Sequence, residues 1–303
     1  MKNRNSLSVY IGRIVQKYIH LLSFLDKFSI SKKKIESPPI ICLLAAPRSG
    51  STLTYQILSD AFENNHLSNF SNLFYSTPII SFKIQSLFLN YIKSNFSSKH
   101  GFVSGLFGEA EGKKFWEYWA HQSLLENKNI GTSKLFELHN RLKKLNNKPF
   151  ITGYLGHPFY INILRKEFDK ILFVHLERDM LSHCYSLYNY YGNNKKMKSA
   201  TPYACLYKTY GSLYERCVDQ ISQINSIITR NTSFDFIKIT YEEICKNPSD
   251  VILQIQNKAN TLGIDLMIKN EVQPFKISKV GKDFDKHTII LHDLIKKYYG
   301  VNR

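Results

Sequence analysis

The segment Pro47-Arg48-Ser49-Gly50-Ser51-Thr52 is the part of this sequence whose residue types and order point most directly to chemistry. Gly50 lets the backbone approach a ligand closely, and successive N–H groups at a helix start can face an anion. Ser51 and Thr52 add hydroxyl donors, and Arg48 adds a fixed positive charge. This is an anion cradle in the manner of a P-loop. The spacing of a nucleoside triphosphatase is missing, because no Lys follows Gly50 and no glycine precedes it at the required distance. The ten histidines contain no HExxH, and the five cysteines (Cys42, Cys184, Cys205, Cys217, Cys245) contain no CxxC. No metal is expected on these spacings.

The elements around the loop are legible. Ile40 to Ala46 is a continuous apolar run, as a strand buried on both faces of a parallel sheet requires. Leu53, Ile57, Leu58 and Ala61 then share one helical face. Strand-like runs return at Phe150–Leu155, Ile171–Leu176 and Phe234–Ile239, with helical stripes over Tyr160–Phe168, through Ser186 and Tyr188, and from Val251 to Leu262. Such alternation predicts an α/β fold with a mainly parallel sheet flanked by helices. Residues 68–148 read as helices and loops inserted between strands.

Composition narrows the function classes. A chain of 303 residues that is 43% hydrophobic has ample core material, so disorder is excluded. The net charge of +17 suits phosphorylated ligands, polyanions or anionic lipid. An odd, scattered cysteine set points to a reducing, cytoplasmic compartment. Between residues 7 and 25 apolar positions recur at helical spacing, interrupted by Arg13 and Lys17, so a bilayer span is not expected. Residues 1–36 read as an amphipathic basic segment that either packs on the domain or lies peripherally on the membrane's cytoplasmic face. Residues 37–303 read as the catalytic domain.

The loop after its buried strand resembles the 5′-phosphosulfate loop of sulfotransferases that use 3′-phosphoadenosine 5′-phosphosulfate (PAPS). A second signature of that family is a buried strand ending in Arg, with Ser eight residues on. This chain has Arg178 after ILFVHLE, and Ser186. A third similarity is Thr240-Tyr241-Glu242-Glu243 followed by Asn247-Pro248. The resemblance implies a P-loop-like sulfotransferase fold. It also implies PAPS as sulfuryl donor without a metal. Arg48, Ser49, Gly50, Ser51 and Thr52 would bind the 5′ side and Arg178 and Ser186 the 3′-phosphate, with Tyr241 and Lys279 as further cofactor contacts. Met180 departs from the Pro common after Arg-Asp, and the segment Ser278 to Lys282 only partly matches the family's basic loop.

Sulfuryl transfer to a hydroxyl needs a group to take the acceptor proton. Within Gly101 to Trp116, a segment similar to one in bacterial sulfotransferases, Glu111 has the better offset from Phe115-Trp116 and Glu109 is the reserve. Arg48 is the third catalytic candidate, and His100 and His157 are outside choices for the base. Phe115, Trp116, Tyr118 and Trp119 could stack on sugars, although aromatics at this spacing more often form core. The Glu-containing branches imply a hydroxyl acceptor on a carbohydrate or glycolipid, and no nucleic-acid partner. The alternative is a basic, non-catalytic module binding nucleic acid or anionic membrane. No zinc-finger or RNP signature accompanies it.

Overall fold

A computed structural model describes residues 26, 38–89, 94–99, 101–120, 134–192, 211–278 and 286–299. The elements follow in chain order as β1 (Ile40–Ala45), α1 (Ser51–Ala61), β2 (Asn65–His66), α2 (Asn69–Leu73), α3 (Pro78–Leu89), α4 (Lys113–Trp119), α5 (Lys134–Leu142) and β3 (Phe150–Thr152). Then come α6 (Ile161–Glu167), β4 (Ile171–Glu177), α7 (Met180–Gly192), α8 (Leu213–Arg230), β5 (Phe236–Thr240), α9 (Tyr241–Lys246), α10 (Pro248–Thr261) and α11 (Lys286–Tyr299).

The five strands form one sheet in the order β2-β3-β1-β4-β5, with every pair parallel. This is the α/β sheet flanked by helices that the alternating pattern predicts. The apolar run of β1 is explained by its central place. Ile40, Cys42 and Leu44 enter the core on one face, and Ile41, Leu43 and Ala45 enter the core on the other. Because the sheet is parallel, its carboxyl-terminal edge gathers the loops, which is where such sheets bind ligands. Register fixes which loops meet. Ala45 lies opposite Leu176 and Glu177 opposite Thr240, so the turn after β1, Arg178 and Tyr241 share that edge.

Helix ends are secured locally. Asp179 Oδ2 accepts from the Ser182 amide at 2.8 Å, which starts α7 without the proline that Met180 replaces. Thr240 and Glu243 form a capping box at α9, so Glu243 has a structural task. Phe115, Trp116 and Trp119 are fully buried, so these α4 aromatics are core and offer no sugar-stacking surface.

Cys42, Cys184, Cys217 and Cys245 are buried free thiols, and Cys205 lies outside the described residues. The segment 7–25 also lies outside them. Asp26 does not. Its carboxylate is buried, accepts from the Ile79 and Ile80 amides at the start of α3, and pairs with Arg141 Nη1 at 3.0 Å. Among the described residues no helix is long and apolar enough to cross a membrane.

Candidate active site

A cleft of about 480 Å³ opens at the carboxyl-terminal edge of the sheet, and its lining includes Arg48, Gly50, Ser51, Thr52, Arg178 and Ser186. Glu109, Glu111 and Tyr241 line it as well. Residues from four separate stretches of chain therefore face one space. Ser49 sits beneath, fully buried. Lys279 and His100 lie outside the described residues, although Ser278, next to Lys279, is on the wall.

The loop after β1 owes its shape to two residues with positive φ, Arg48 at 69° and Gly50 at 100°. A Cβ on Gly50 would stand 2.3 Å from the Tyr241 ring, so the position needs glycine for space as well as for φ. The first helical bond of α1 runs from the Thr54 amide to the Gly50 carbonyl. The amino end of α1 carries no side-chain cap, so its leading amides are available to an anion. Arg48 Nε and Ser49 Oγ are buried with no hydrogen-bond partner among the described residues. Orphaned donors of this kind cost stability unless a ligand meets them. The residues present thus fit a bound phosphate-type group.

Arg178 ties the site together. Its Nη1 donates to the Arg48 carbonyl at 2.9 Å, Nη2 donates to the Ser278 carbonyl, and the guanidinium lies 4.6 Å over the Tyr241 ring. Its Nε has no hydrogen-bond partner among the described residues. Sequence reasoning missed two supports of the loop. His183 Nε2 donates to the Pro47 carbonyl at 2.8 Å, and the Tyr190 ring lies 5.5 Å from the Arg48 guanidinium carbon. Burial lowers the His183 pKa to about 4, so it donates as a neutral imidazole. Both residues lie within one turn of Ser186 along α7, and that spacing was the available signal.

On the opposite wall, Gly101 to Gly112 runs as irregular chain pinned to its neighbours. Asn69 Nδ2 donates to the Val103 and Gly105 carbonyls, and the Ala110 amide donates to the Leu67 carbonyl. Gly112 has φ 73°, and a Cβ there would stand 2.2 Å from Leu67, so the chain can turn into α4 only with glycine. Glu111 precedes that turn. Burial raises its pKa to about 7, and the Arg48 charge opposes the rise. Glu109 faces the same cleft, with Gln56 Nε2 donating to its carboxylate at 3.4 Å.

His157 is a different case. It is fully buried behind the cleft, shares a hydrogen bond with Thr152 Oγ1 at 3.0 Å, and meets the Trp116 ring edge-on. Trp116 Nε1 donates to the same hydroxyl at 2.8 Å. Burial lowers the His157 pKa to about 3. It sits in the core, in keeping with the structural role that a lone histidine more often has.

The model of a family described as the sulfotransferase family matches residues 39–262. No curated protein sequence matches. Among solved structures, a Mycobacterium tuberculosis sulfotransferase aligns at 9% identity over 88% of this chain and 78% of its own, with a TM-score of 0.47. A Mycobacterium avium sulfotransferase aligns at 14% identity over 94% and 73%, TM-score 0.45. The sulfotransferase domain of the Synechococcus PCC 7002 olefin synthase aligns at 17% identity over 78% and 77%, TM-score 0.41.

Proposed function

The chain belongs to the sulfotransferase family, and from that premise we propose that it moves a sulfuryl group from PAPS to a hydroxyl on a carbohydrate or glycolipid. One observation carries the reading. The cleft sets the uncapped amino end of α1, Arg48 and Arg178 on one side and a carboxylate with a pKa of about 7 on the other.

PAPS, when bound, supplies the sulfuryl group on a phosphate leaving group. The α1 amides, Ser51, Thr52 and Arg48 hold negative charge on the phosphosulfate side, where preorganised donors act most strongly. Arg178 and Ser186 hold the 3′-phosphate. Arg178 also joins the loop after β1 to the Ser278 segment, so ligand contact there would organise both, and Lys279 is the adjacent cation. Tyr241 packs against Gly50 and fixes the loop. Glu111 takes the acceptor proton. A carboxylate with a pKa near the working pH is suited to that transfer, because about half of it is ionised and the ionised form is still basic. Glu109, held by Gln56, positions the acceptor beside it. The scattered free thiols support a cytoplasmic setting, and residues 7–25 supply peripheral membrane contact in this reading.

The test is nucleotide selectivity. The product nucleotide 3′-phosphoadenosine 5′-phosphate (PAP) raises the melting temperature by mass action, and 5′-AMP at equal concentration does not. Equal shifts from both would sink the PAPS assignment.

A further inference from the structure

A second cavity, of about 570 Å³, adjoins the cleft, and the two share Val103 and Glu109 as lining. The partition between them is therefore the Val103–Ala110 stretch. Its place is fixed by the Asn69 side-chain bonds to Val103 and Gly105, the bond from the Asn69 amide to the Gly108 carbonyl, and the Gln56 contact to Glu109. Glu109 therefore faces both spaces.

The chemistry of the second chamber differs from that of the cleft. Among the described residues no arginine lines it. Its charged lining is Asp60, Glu63 and Glu109 against Lys148 and Lys269, and Glu63 is paired with Lys148 at 3.3 Å. Three carboxylates against two lysines among the described residues, in a chain of net charge +17, do not favour a second polyanion. Its floor is amide and imidazole. Asn65 and Asn146 bond to each other, and Gln85 is held between the His66 carbonyl and the Ser68 hydroxyl. His66 Nδ1 donates to Asn64 Oδ1 at 2.9 Å, which leaves Nε2 as an acceptor. Burial and the Lys269 charge lower the His66 pKa to about 4, so the ring stays neutral. Leu106 and Phe107 give one wall an apolar surface. Mixed donors and acceptors, no excess of positive charge among the described residues and an apolar wall suit a neutral, hydroxyl-rich ring with C–H faces.

We propose that this second chamber is an acceptor subsite that holds a neutral saccharide unit remote from the reacting hydroxyl, with the acceptor passing Glu109 to reach Glu111. The inference rests on the sulfotransferase reading. It makes the acceptor an oligomeric or conjugated saccharide. Glu109 and the partition are specificity elements, because binding of a remote unit positions the reacting one.

The experiment is ligand-observed saturation-transfer NMR on the full chain with PAP present. The probes are neutral trisaccharides of glucose, galactose, mannose and N-acetylglucosamine, the matching monosaccharides, and a uronate-containing trisaccharide. At least one neutral trisaccharide is expected to receive saturation that its monosaccharide does not. Ser86→Trp and Asn95→Trp, each on an exposed residue of the chamber lining, should abolish that signal and leave the PAP thermal shift intact. No neutral trisaccharide signal, a signal that survives both substitutions, or preference for the uronate overturns the proposal. A wild-type chain that PAP does not stabilise refutes the donor reading instead, whatever the saccharides do.

Discussion

The two walls of the cleft reach the same edge of the sheet by different routes. The donor wall grows from the sheet itself, since β1, β4 and β5 end beside one another and their register delivers Arg48, Arg178 and Tyr241 together. The carboxylate-bearing wall is irregular chain from Gly101 to Gly112, held by side-chain bonds from Asn69 and Gln56. Parallel strands fix positions to the spacing of a ladder. An irregular segment can bring two carboxylates, Glu109 and Glu111, to a substrate from any direction. Desolvation also acts oppositely on the two classes of titratable group near this wall. It carries the Glu111 carboxyl up to about 7, where it can take a proton, and His157 down to about 3, where it cannot be charged at working pH.

The largest expected effect tests that contrast. Glu111→Gln should cut turnover by about 10²–10⁴-fold and leave the PAP thermal shift unchanged, whereas Glu109→Gln should cost far less. Near-normal turnover in Glu111→Gln would place the base elsewhere. The pH profile sharpens the point. Turnover should rise with pH through about 7, because Glu111 works ionised. Arg48 holds that value down, so the acid limb should move to higher pH in Arg48→Ala; an unmoved limb in both variants means that Glu111 does not control it. Stability has the opposite sign. The folded value lies above the usual 4.5, so between about 4.5 and about 7 the folded state holds the extra proton and the contribution of this group falls as pH rises. Glu111→Gln should flatten that slope in thermal melts.

The donor wall carries the next effect. Losing a charged hydrogen bond of roughly 1.5–3 kcal/mol should make Arg178→Ala bind PAP about 10- to 150-fold more weakly in calorimetry. Arg48→Ala should lower turnover more than it weakens PAP binding, since the proposed reading sets its charge against the transferring group. Identical kinetic phenotypes would remove the division of roles.

The smallest effect on turnover is assigned to His157. His157→Gln should leave turnover nearly unchanged while lowering the melting temperature, because disturbing the Thr152–Trp116 network strands a buried polar group at about 1–3 kcal/mol. A large loss of turnover with an unchanged melting temperature would return His157 to the chemistry.

Sequence alone determined the alternation of elements and which polar residues lie at strand ends. The IICLLAA run had to be a strand covered on both faces, and its polar, glycine-bearing exit had to lie at the sheet edge. Element limits were less legible where side chains compete with the ladder. Phe234 reads as strand but is 75% exposed, and β5 begins at Phe236. The Asp235 carboxylate between them is held by Arg165 at 2.7 Å. The reading of Phe150 to Leu155 as strand is cut short at Thr152, because the Tyr154 carbonyl turns to accept from the His157 amide.

Tertiary structure decided what periodicity cannot carry. A histidine and a carboxylate look alike in a sequence as candidates for a base. Only the packing shows that one is enclosed with Trp116 and Thr152 while the other faces the cleft within reach of the Arg48 charge. The second chamber is of the same kind. Its walls come from α1, β2, α3, the Gly101–Gly112 segment and the chain before β3, stretches whose meeting depends on long-range packing and leaves no local pattern.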